Sequence, residues 1–196
     1  MRRTPDDVAR IAKSRRCASV AFTYSEPVIF YEYMVDCAVA ARARGIRSVM
    51  ISNGYIQPEP LRELVKVLDA VKIDLKAFSD KFYRELCSGT LAPVLETLKI
   101  LKESKIWFEI VVLLIPSWND SSEEITALCQ WVAENLGDSV PIHFTRFHPT
   151  YKIKQIARTP LDRLEKAYEI ARKAGLKFPY IGNVPGHEGE HTHCPG

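Results

Sequence analysis

The stretch Val71-Lys72-Ile73-Asp74-Leu75-Lys76 alternates apolar and charged residues one for one. Side chains alternate faces along a β-strand, so Val71, Ile73 and Leu75 point one way and Lys72, Asp74 and Lys76 the other. The apolar set suits packing beneath helices. The charged set then faces the interior of a barrel, where isolated charges are expensive. An Asp and a Lys facing each other there are better explained by a polar ligand than by folding alone, with a structural ion pair as the competing account.

Outward from this strand the chain alternates helix and strand. On the N-terminal side, Thr4 caps a helix that has Pro5 at its first position, Asp6 and Asp7 in its first turn, and an apolar face to about Ser14. Cys17 to Phe22 reads as a strand and Val28 to Arg44 as a helix stopped by Gly45. Ile46 to Ser52 is a strand closed by Asn53-Gly54, and Leu61, Leu64, Val65 and Leu68 recur at helical spacing. On the C-terminal side, Ser79 to Cys87 is a short helix, and Leu91, Val94, Leu95, Leu98 and Leu101 mark a longer one. Trp107 to Ile115 is the strongest strand pattern, ended by Pro116. Asp120 or Ser121 caps a helix with the stripe Ile125, Leu128, Val132 and Leu136. Ile142 to Phe147 is a strand, Thr159-Pro160 opens a helix closed by Gly175, and Leu176 to Ile181 is a last strand before a polar tail. Strands separated by helices of this length imply right-handed crossovers and a parallel sheet. The expected fold is α/β, a βα-barrel or part of one, ahead of a doubly wound open sheet. Neither a GxGxxG turn nor a P-loop supports a nucleotide-binding version of the latter.

The 196 residues are 46% hydrophobic and 26% charged, which excludes a disordered chain and fits one domain with a core. The net charge of +3 is spread along the chain and gives no argument for nucleic acid. No apolar run approaches the roughly 18–20 residues that span a bilayer. Met1-Arg2-Arg3 leads straight into Thr4-Pro5-Asp6-Asp7 without an apolar segment, so no signal peptide is read, and a soluble protein of the cytoplasm is expected. The five cysteines, Cys17, Cys37, Cys87, Cys129 and Cys194, are scattered and match neither a disulfide framework nor a metal knuckle. Cys17, Cys37 and Cys129 fall on apolar faces and are expected as buried thiols.

Parallel α/β folds place their sites at the C-terminal ends of strands. Those ends carry Thr23-Tyr24-Ser25-Glu26-Pro27, Ser52-Asn53-Gly54-Tyr55, the residues His143, Thr145, Arg146 and His148, and Gly182-Asn183-Val184-Pro185-Gly186-His187. Glu26 is suited to receive a ligand's ammonium group, or equally to serve as a helix first-turn acid. Asn53-Gly54 is a turn signal first and a ligand loop second. His143 is an inward-facing ligand contact or a satisfied core residue. Phe30, Tyr31 and Tyr33 are expected in the core. In the tail, His187, His191, His193 and Cys194 lie within eight residues and are candidate zinc or iron ligands, against the alternative of a solvated tail.

Three of these strings, Thr23-Tyr24-Ser25-Glu26-Pro27, Ser52-Asn53-Gly54-Tyr55-Ile56 and Ile73-Asp74-Leu75-Lys76-Ala77-Phe78, closely resemble radical S-adenosylmethionine (SAM) enzymes. The runs Pro93-Val94-Leu95-Glu96-Thr97, Ile115-Pro116-Ser117-Trp118-Asn119-Asp120, Phe147-His148-Pro149 and Gly182 to Gly189 are similar to the same group, so the resemblance covers essentially the whole chain in order. It is nearest to the pyruvate formate-lyase activating enzyme-like members, and among them to the AMMECR1/Memo-associated (AmmeMemoRadiSam) group. The resemblance implies a six-unit (β/α) TIM-like partial barrel and the reductive cleavage of SAM to a 5′-deoxyadenosyl radical, which abstracts hydrogen from a substrate that is either a protein or a small molecule. It implies SAM contacts at Tyr24, Glu26, Asn53, Gly54, Asp74, Lys76 and His143, with Glu26 toward the amino group and Lys76 toward the carboxylate.

The family holds a [4Fe–4S] cluster with a CxxxCxxC loop after the first barrel strand, and no such loop occurs in these residues. His193-Cys194-Pro195-Gly196 resembles the start of a CPxC pair. The expectation is therefore a truncated, inactive chain: a partial barrel over 1–183 lacking its first strand and cluster loop, followed by a polar tail over 184–196. Weak or no SAM binding, and a chain that is either marginally stable or associates through exposed strand edges, follow from that expectation. Two alternatives stand beside it. One is a non-catalytic SAM-binding or interaction module without a cluster. The other is a cluster-free barrel lyase using Lys76 as Schiff-base amine with Asp74 beside it.

Overall fold

The computed structural model describes residues 3–194; Met1 and the Pro195-Gly196 pair, on which the expectations of a cut start and a CPxC pair rest, lie outside the described residues. The elements run α1 (Pro5–Ser14), β1 (Ser19–Phe22), a 3-10 turn (Pro27–Phe30), α2 (Tyr31–Arg42), β2 (Arg47–Ser52), α3 (Pro58–Leu64) and β3 (Ala70–Asp74). They continue with α4 (Asp80–Phe82), which passes into a π-helical turn (Tyr83–Cys87), then α5 (Ala92–Glu103), β4 (Trp107–Leu114), α6 (Ser122–Leu136), β5 (Ile142–Arg146), α7 (Leu161–Lys173), β6 (Pro179–Gly182) and a 3-10 turn (Glu188–Glu190). The six strands form one parallel sheet in the order β1-β2-β3-β4-β5-β6, the α/β class expected from the alternation. No helix among the described residues is long and apolar enough to cross a membrane.

The chain divides into two compact units, one comprising Met1–Ile73 and Pro93–Phe108, the other Asp74–Ala92 and Glu109–Gly196. In the first unit β1 pairs with β2 (Phe22 opposite Met50) and β2 with β3 (Ser52 opposite Ile73). The helix α1 begins on a capping box. Thr4 Oγ1 accepts from the Asp7 amide, and the Asp7 carboxylate accepts from the Thr4 amide. Its far face buries Ala9 and Ala12 with Ala41 of α2 and Ile46, small residues that let the two helices approach. Met34, Met50, Leu61, Leu64, Ile73, Leu98 and Leu101 fill the rest of this unit's core.

In the second unit Ile110 of β4 lies opposite Ile142 of β5, and Ile142 opposite Pro179 of β6. Ile110, Val112 and Leu114 are buried on one face of β4, while Glu109, Val111 and Leu113 on the other are half-buried. Each fully buried aliphatic or Phe side chain is worth about 1.5–3 kcal/mol relative to exposure. That stabilisation fixes which face of the strand turns to the helices.

Several local expectations change. The expected helix over 28–44 starts as the 3-10 turn Pro27–Phe30, because Pro27 sets the first φ and Glu26 caps it by accepting from the Val28 amide. Phe30, Tyr31 and Tyr33 are not core. Phe30 and Tyr31 are half-buried, and Tyr33 is exposed, its hydroxyl bonded to the Arg3 carbonyl at 2.9 Å. Cys17 is exposed rather than buried, since it falls in the turn after α1 and before β1; Cys37 and Cys129 are buried as expected. Burial pushes the Cys129 thiol up to about 12, which makes it inert.

The capping box gives a pH signature. Arg10 and the Thr4 bonds hold the Asp7 carboxyl down from 3.8 to about 2. A depressed carboxyl contributes stability that is present above its unfolded value and lost as pH falls through the folded one. The melting-temperature difference between the wild type and Asp7→Asn is therefore expected at neutral pH, shrinking between pH 3.8 and about 2. Thermal unfolding followed over that range measures it, and a difference independent of pH would contradict it.

Candidate functional site

In the first unit the sequence-predicted residues Glu26, Asn53 and Gly54 come together. The β1 strand ends at Phe22 and the chain turns through Tyr24 to Pro27, bringing the Glu26 carboxylate over the C-terminal end of β2. Oε1 accepts from the Ser52 hydroxyl at 2.7 Å and the Val28 amide at 3.2 Å, and Oε2 accepts from the Asn53 amide at 2.8 Å. Glu26 is thus both the turn cap and the tie between two strand-end loops. A carboxylate offers about four lone-pair sites, so one acceptor position remains for an incoming cation.

The loop it holds is locked from behind. Ser52, buried, accepts from the Gly54 amide at 3.0 Å, and Asn53 Oδ1 accepts from the Tyr55 amide at 2.8 Å. The Thr97 hydroxyl, also buried, donates to the Gly54 carbonyl at 2.7 Å. Gly54 sits at φ +73°, a backbone conformation that favours glycine, and a Cβ there would press on Ile73 Cγ2 at 3.1 Å. Tyr24, by contrast, is 92% exposed and takes no part in this network.

In the second unit Asp74 and Lys76 keep the alternation of the sequence, although β3 itself stops at Asp74. Lys76 Nζ pairs with Asp74 Oδ2 at 2.8 Å. One of three ammonium donors is used, leaving two for a ligand oxygen. The backbone of Lys76 is held on both sides. Its amide donates to the Tyr83 hydroxyl at 3.2 Å, and its carbonyl accepts from Asn119 Nδ2 at 2.7 Å. Asn119, 2% exposed, also donates to the Leu113 carbonyl at 2.9 Å and accepts from the Ile115 amide at 2.6 Å. Glu124 at the start of α6 accepts from the Phe78 amide at 2.7 Å, and burial raises its carboxyl above the ordinary carboxylate range.

His143 stands on the half-buried face of β5. Its Nε2 lies 3.0 Å from Glu109 Oε2, and its ring stacks on Tyr180 with centroids 4.8 Å apart and planes at 17°. It is neither core nor alone: β4, β5 and β6 each contribute one member of that set. Ser52, Asn119, Tyr83 and Glu109 carry these arrangements, and sequence reasoning assigned none of them a role. The signal for Asn119 was its place in the turn after Pro116, where a short amide meets free strand-end carbonyls.

Of the four tail residues, three share a cavity and His187 is paired elsewhere. His187 Nδ1 accepts from the Gly189 amide at 2.9 Å, and Nε2 lies 3.4 Å from Glu165. His191, His193 and Cys194 border a separate cavity of about 160 Å³ beside Arg172 and Lys177. Among the described residues no three His, Cys, Asp or Glu side chains form a group able to hold a metal, so the expected tail ligand set is not formed. The local turn at Glu188–Glu190 points His187 to Glu165 and away from the others.

A family model described as the radical SAM superfamily matches residues 1–129. An uncharacterised protein of Methanocaldococcus jannaschii is 45% identical over 192 residues, 98% of this chain and 57% of that protein. The pyruvate formate-lyase 1-activating enzyme of Escherichia coli is 28% identical over 136 residues, 67% of this chain and 54% of that enzyme. The chain thus spans about half the length of these curated relatives. Among solved structures, a domain of a pyruvate formate-lyase activating enzyme from Bacteroides vulgatus superposes with a TM-score of 0.74 at 18% identity, covering 85% of this chain and 99% of that one. That likeness places the sheet among radical SAM partial barrels, the expected fold class. With the family model matching well over half its residues, the chain belongs to the radical SAM superfamily.

Proposed function

We propose that this chain supplies SAM-holding residues of a radical SAM enzyme of the activating-enzyme type, whose substrate is a protein. The observation that carries the reading is the Glu26 carboxylate, fixed by Ser52, Asn53 and Val28 with one acceptor position unused. In this reading Glu26, with the Asn53-Gly54 loop, receives the ammonium group of SAM. In the second unit Lys76, oriented by Asp74, keeps two donors that suit a carboxylate such as the one SAM carries. The protein substrate is suggested by relatives named as activating enzymes of pyruvate formate-lyase, 4-hydroxyphenylacetate decarboxylase and benzylsuccinate synthase.

The residues of the first unit fit the amino end of SAM, because the Glu26 carboxylate is prepositioned with one acceptor position unused and complements an ammonium group. The residues present do not fit a [4Fe–4S] cluster. The five cysteines are spaced too far apart for CxxxCxxC, and Cys37 and Cys129 are buried in separate units. The cluster is therefore not assigned to these 196 residues.

The assignment is tested by comparing SAM with 5′-methylthioadenosine, which lacks the amino-acid end, in amide-resolved NMR. SAM is expected to move the Asn53 and Gly54 amides while methylthioadenosine leaves them in place. Equal shifts from both would remove the role given to Glu26.

A further inference from the structure

A groove of about 480 Å³ lies in the first unit, between the start of α2 and the start of α3. Val28, Ile56 and Pro60 give it apolar walls, Tyr31 and Tyr55 add aromatic rings, and Glu32 contributes a carboxylate; no lysine or arginine is among its lining residues. The Tyr31 hydroxyl donates to the Pro60 carbonyl at 3.0 Å, which joins the two helix starts and fixes that ring as a wall. Burial raises the Tyr31 hydroxyl above its ordinary range, and the Glu63 and Glu32 carboxylates add to the rise, the mark of a negative field in the groove. Tyr55, one of the lining residues, is 46% exposed, and Ile29, next in sequence to the lining residue Val28, is 76% exposed. Exposed apolar patches mark interaction sites.

We propose that this groove binds a protein segment that sets an arginine among apolar residues, the guanidinium meeting Glu32 and the tyrosine rings and its neighbours meeting Val28, Ile56 and Pro60. Arginine suits the lining better than lysine, because a planar guanidinium pairs with a carboxylate and stacks on an aromatic face at once. A protein segment suits it better than a small molecule. Small-molecule sites bury most of their ligand, whereas this groove is open and leaves Tyr55 46% exposed. Two of the groove's lining residues, Val28 and Tyr55, are bonded to Glu26 and Asn53. The Val28 amide donates to Glu26, and the Tyr55 amide to Asn53. An occupant seated against Val28 and Tyr55 therefore bears on the two loops tied by Glu26. The proposal stands on the groove and not on the cofactor reading, so a chain that failed to bind SAM would still show it.

The test is an amide-resolved NMR titration of the chain with acetyl-Leu-Arg-Leu-amide and, separately, acetyl-Leu-Glu-Leu-amide. The arginine peptide is expected to shift amides within residues 28–32 and 55–57 and to bind about fivefold more tightly than its glutamate counterpart, the size one partly exposed ion pair supports. Glu32→Arg should reverse the preference, and the milder Glu32→Gln should erase it; each variant's own spectrum shows whether it is folded. Tyr55→Ala should weaken both peptides. Equal affinity for the two peptides, shifts centred elsewhere, no binding of either, or an arginine preference that survives Glu32→Gln would each overturn the proposal. Binding of acetylarginine amide as tightly as the tripeptide would make the groove a small-molecule site. Shifts at the same amides on concentrating the protein alone would make it a contact between copies. Either outcome also overturns it.

Discussion

Asn119→Ala is expected to cost about 3–5 kcal/mol of folding stability, the largest loss from a single polar side chain in the second unit. The amide is 2% exposed and makes three hydrogen bonds, to the Lys76 and Leu113 carbonyls and from the Ile115 amide. Alanine leaves all three backbone groups without a partner, and each orphaned group carries its full desolvation penalty of about 1–3 kcal/mol. Asn119→Asp separates the contributions. It keeps an acceptor for Ile115 but sets carboxylate oxygen against two carbonyls, so it should not rescue the loss. Urea unfolding measures both variants. A loss below about 1 kcal/mol for alanine would mean that water replaces the amide. Lys76 would shift as well, because its carbonyl is held by this side chain.

Glu26→Ala is expected to be the second large effect, about 2–4 kcal/mol, together with loss of SAM contact at the β1 and β2 strand ends. The carboxylate accepts from Ser52, Asn53 and Val28, and two of those donors belong to a loop with no other tie to the β1 turn in this network. Removing it should speed hydrogen exchange at the Asn53 amide ahead of global unfolding, since a loop freed at one end opens locally. Glu26→Gln keeps one acceptor oxygen and presents an NH2 group to the remaining donors, so its stability should fall between the two. Unchanged exchange at Asn53 in Glu26→Ala would show that the loop is fixed by Thr97 and Ser52 alone.

The strand-helix alternation was legible because it rests on periodicity. The pattern Val71 to Lys76 predicted which side chains turn to the helices, and Val71, Ile73 and Leu75 are all buried. Glu26 was legible in part, as a cap or as a ligand contact, and the structure makes it a cap whose other oxygen holds Asn53. What stayed hidden depends on contacts far apart in sequence. Asn119 reaches Lys76 across 43 residues and Glu109 reaches His143 across 34, separations that no local pattern reports. The tail misled for the opposite reason. Four good ligands lie close in sequence, but His187 pairs with Glu165 after a 3-10 turn while His191, His193 and Cys194 line a cavity without forming a metal-holding group among the described residues. Cys17 misled because the apolar residues that follow it, Ala18, Val20, Ala21 and Phe22, suggested a strand already under way, whereas β1 begins two residues later, at Ser19.

The central claim, that Glu26 and the Asn53-Gly54 loop receive the amino end of SAM, is tested most directly by titrating the chain with SAM while following its backbone amides. The account predicts saturable shifts at Asn53 and Gly54 with a weak dissociation constant, on the order of 1 mM or above, because a partly exposed ion pair adds only about 1 kcal/mol. It also predicts that Glu26→Gln abolishes those shifts while its spectrum stays folded. Shifts centred elsewhere, or shifts at Asn53 and Gly54 that survive Glu26→Gln unchanged, would contradict it.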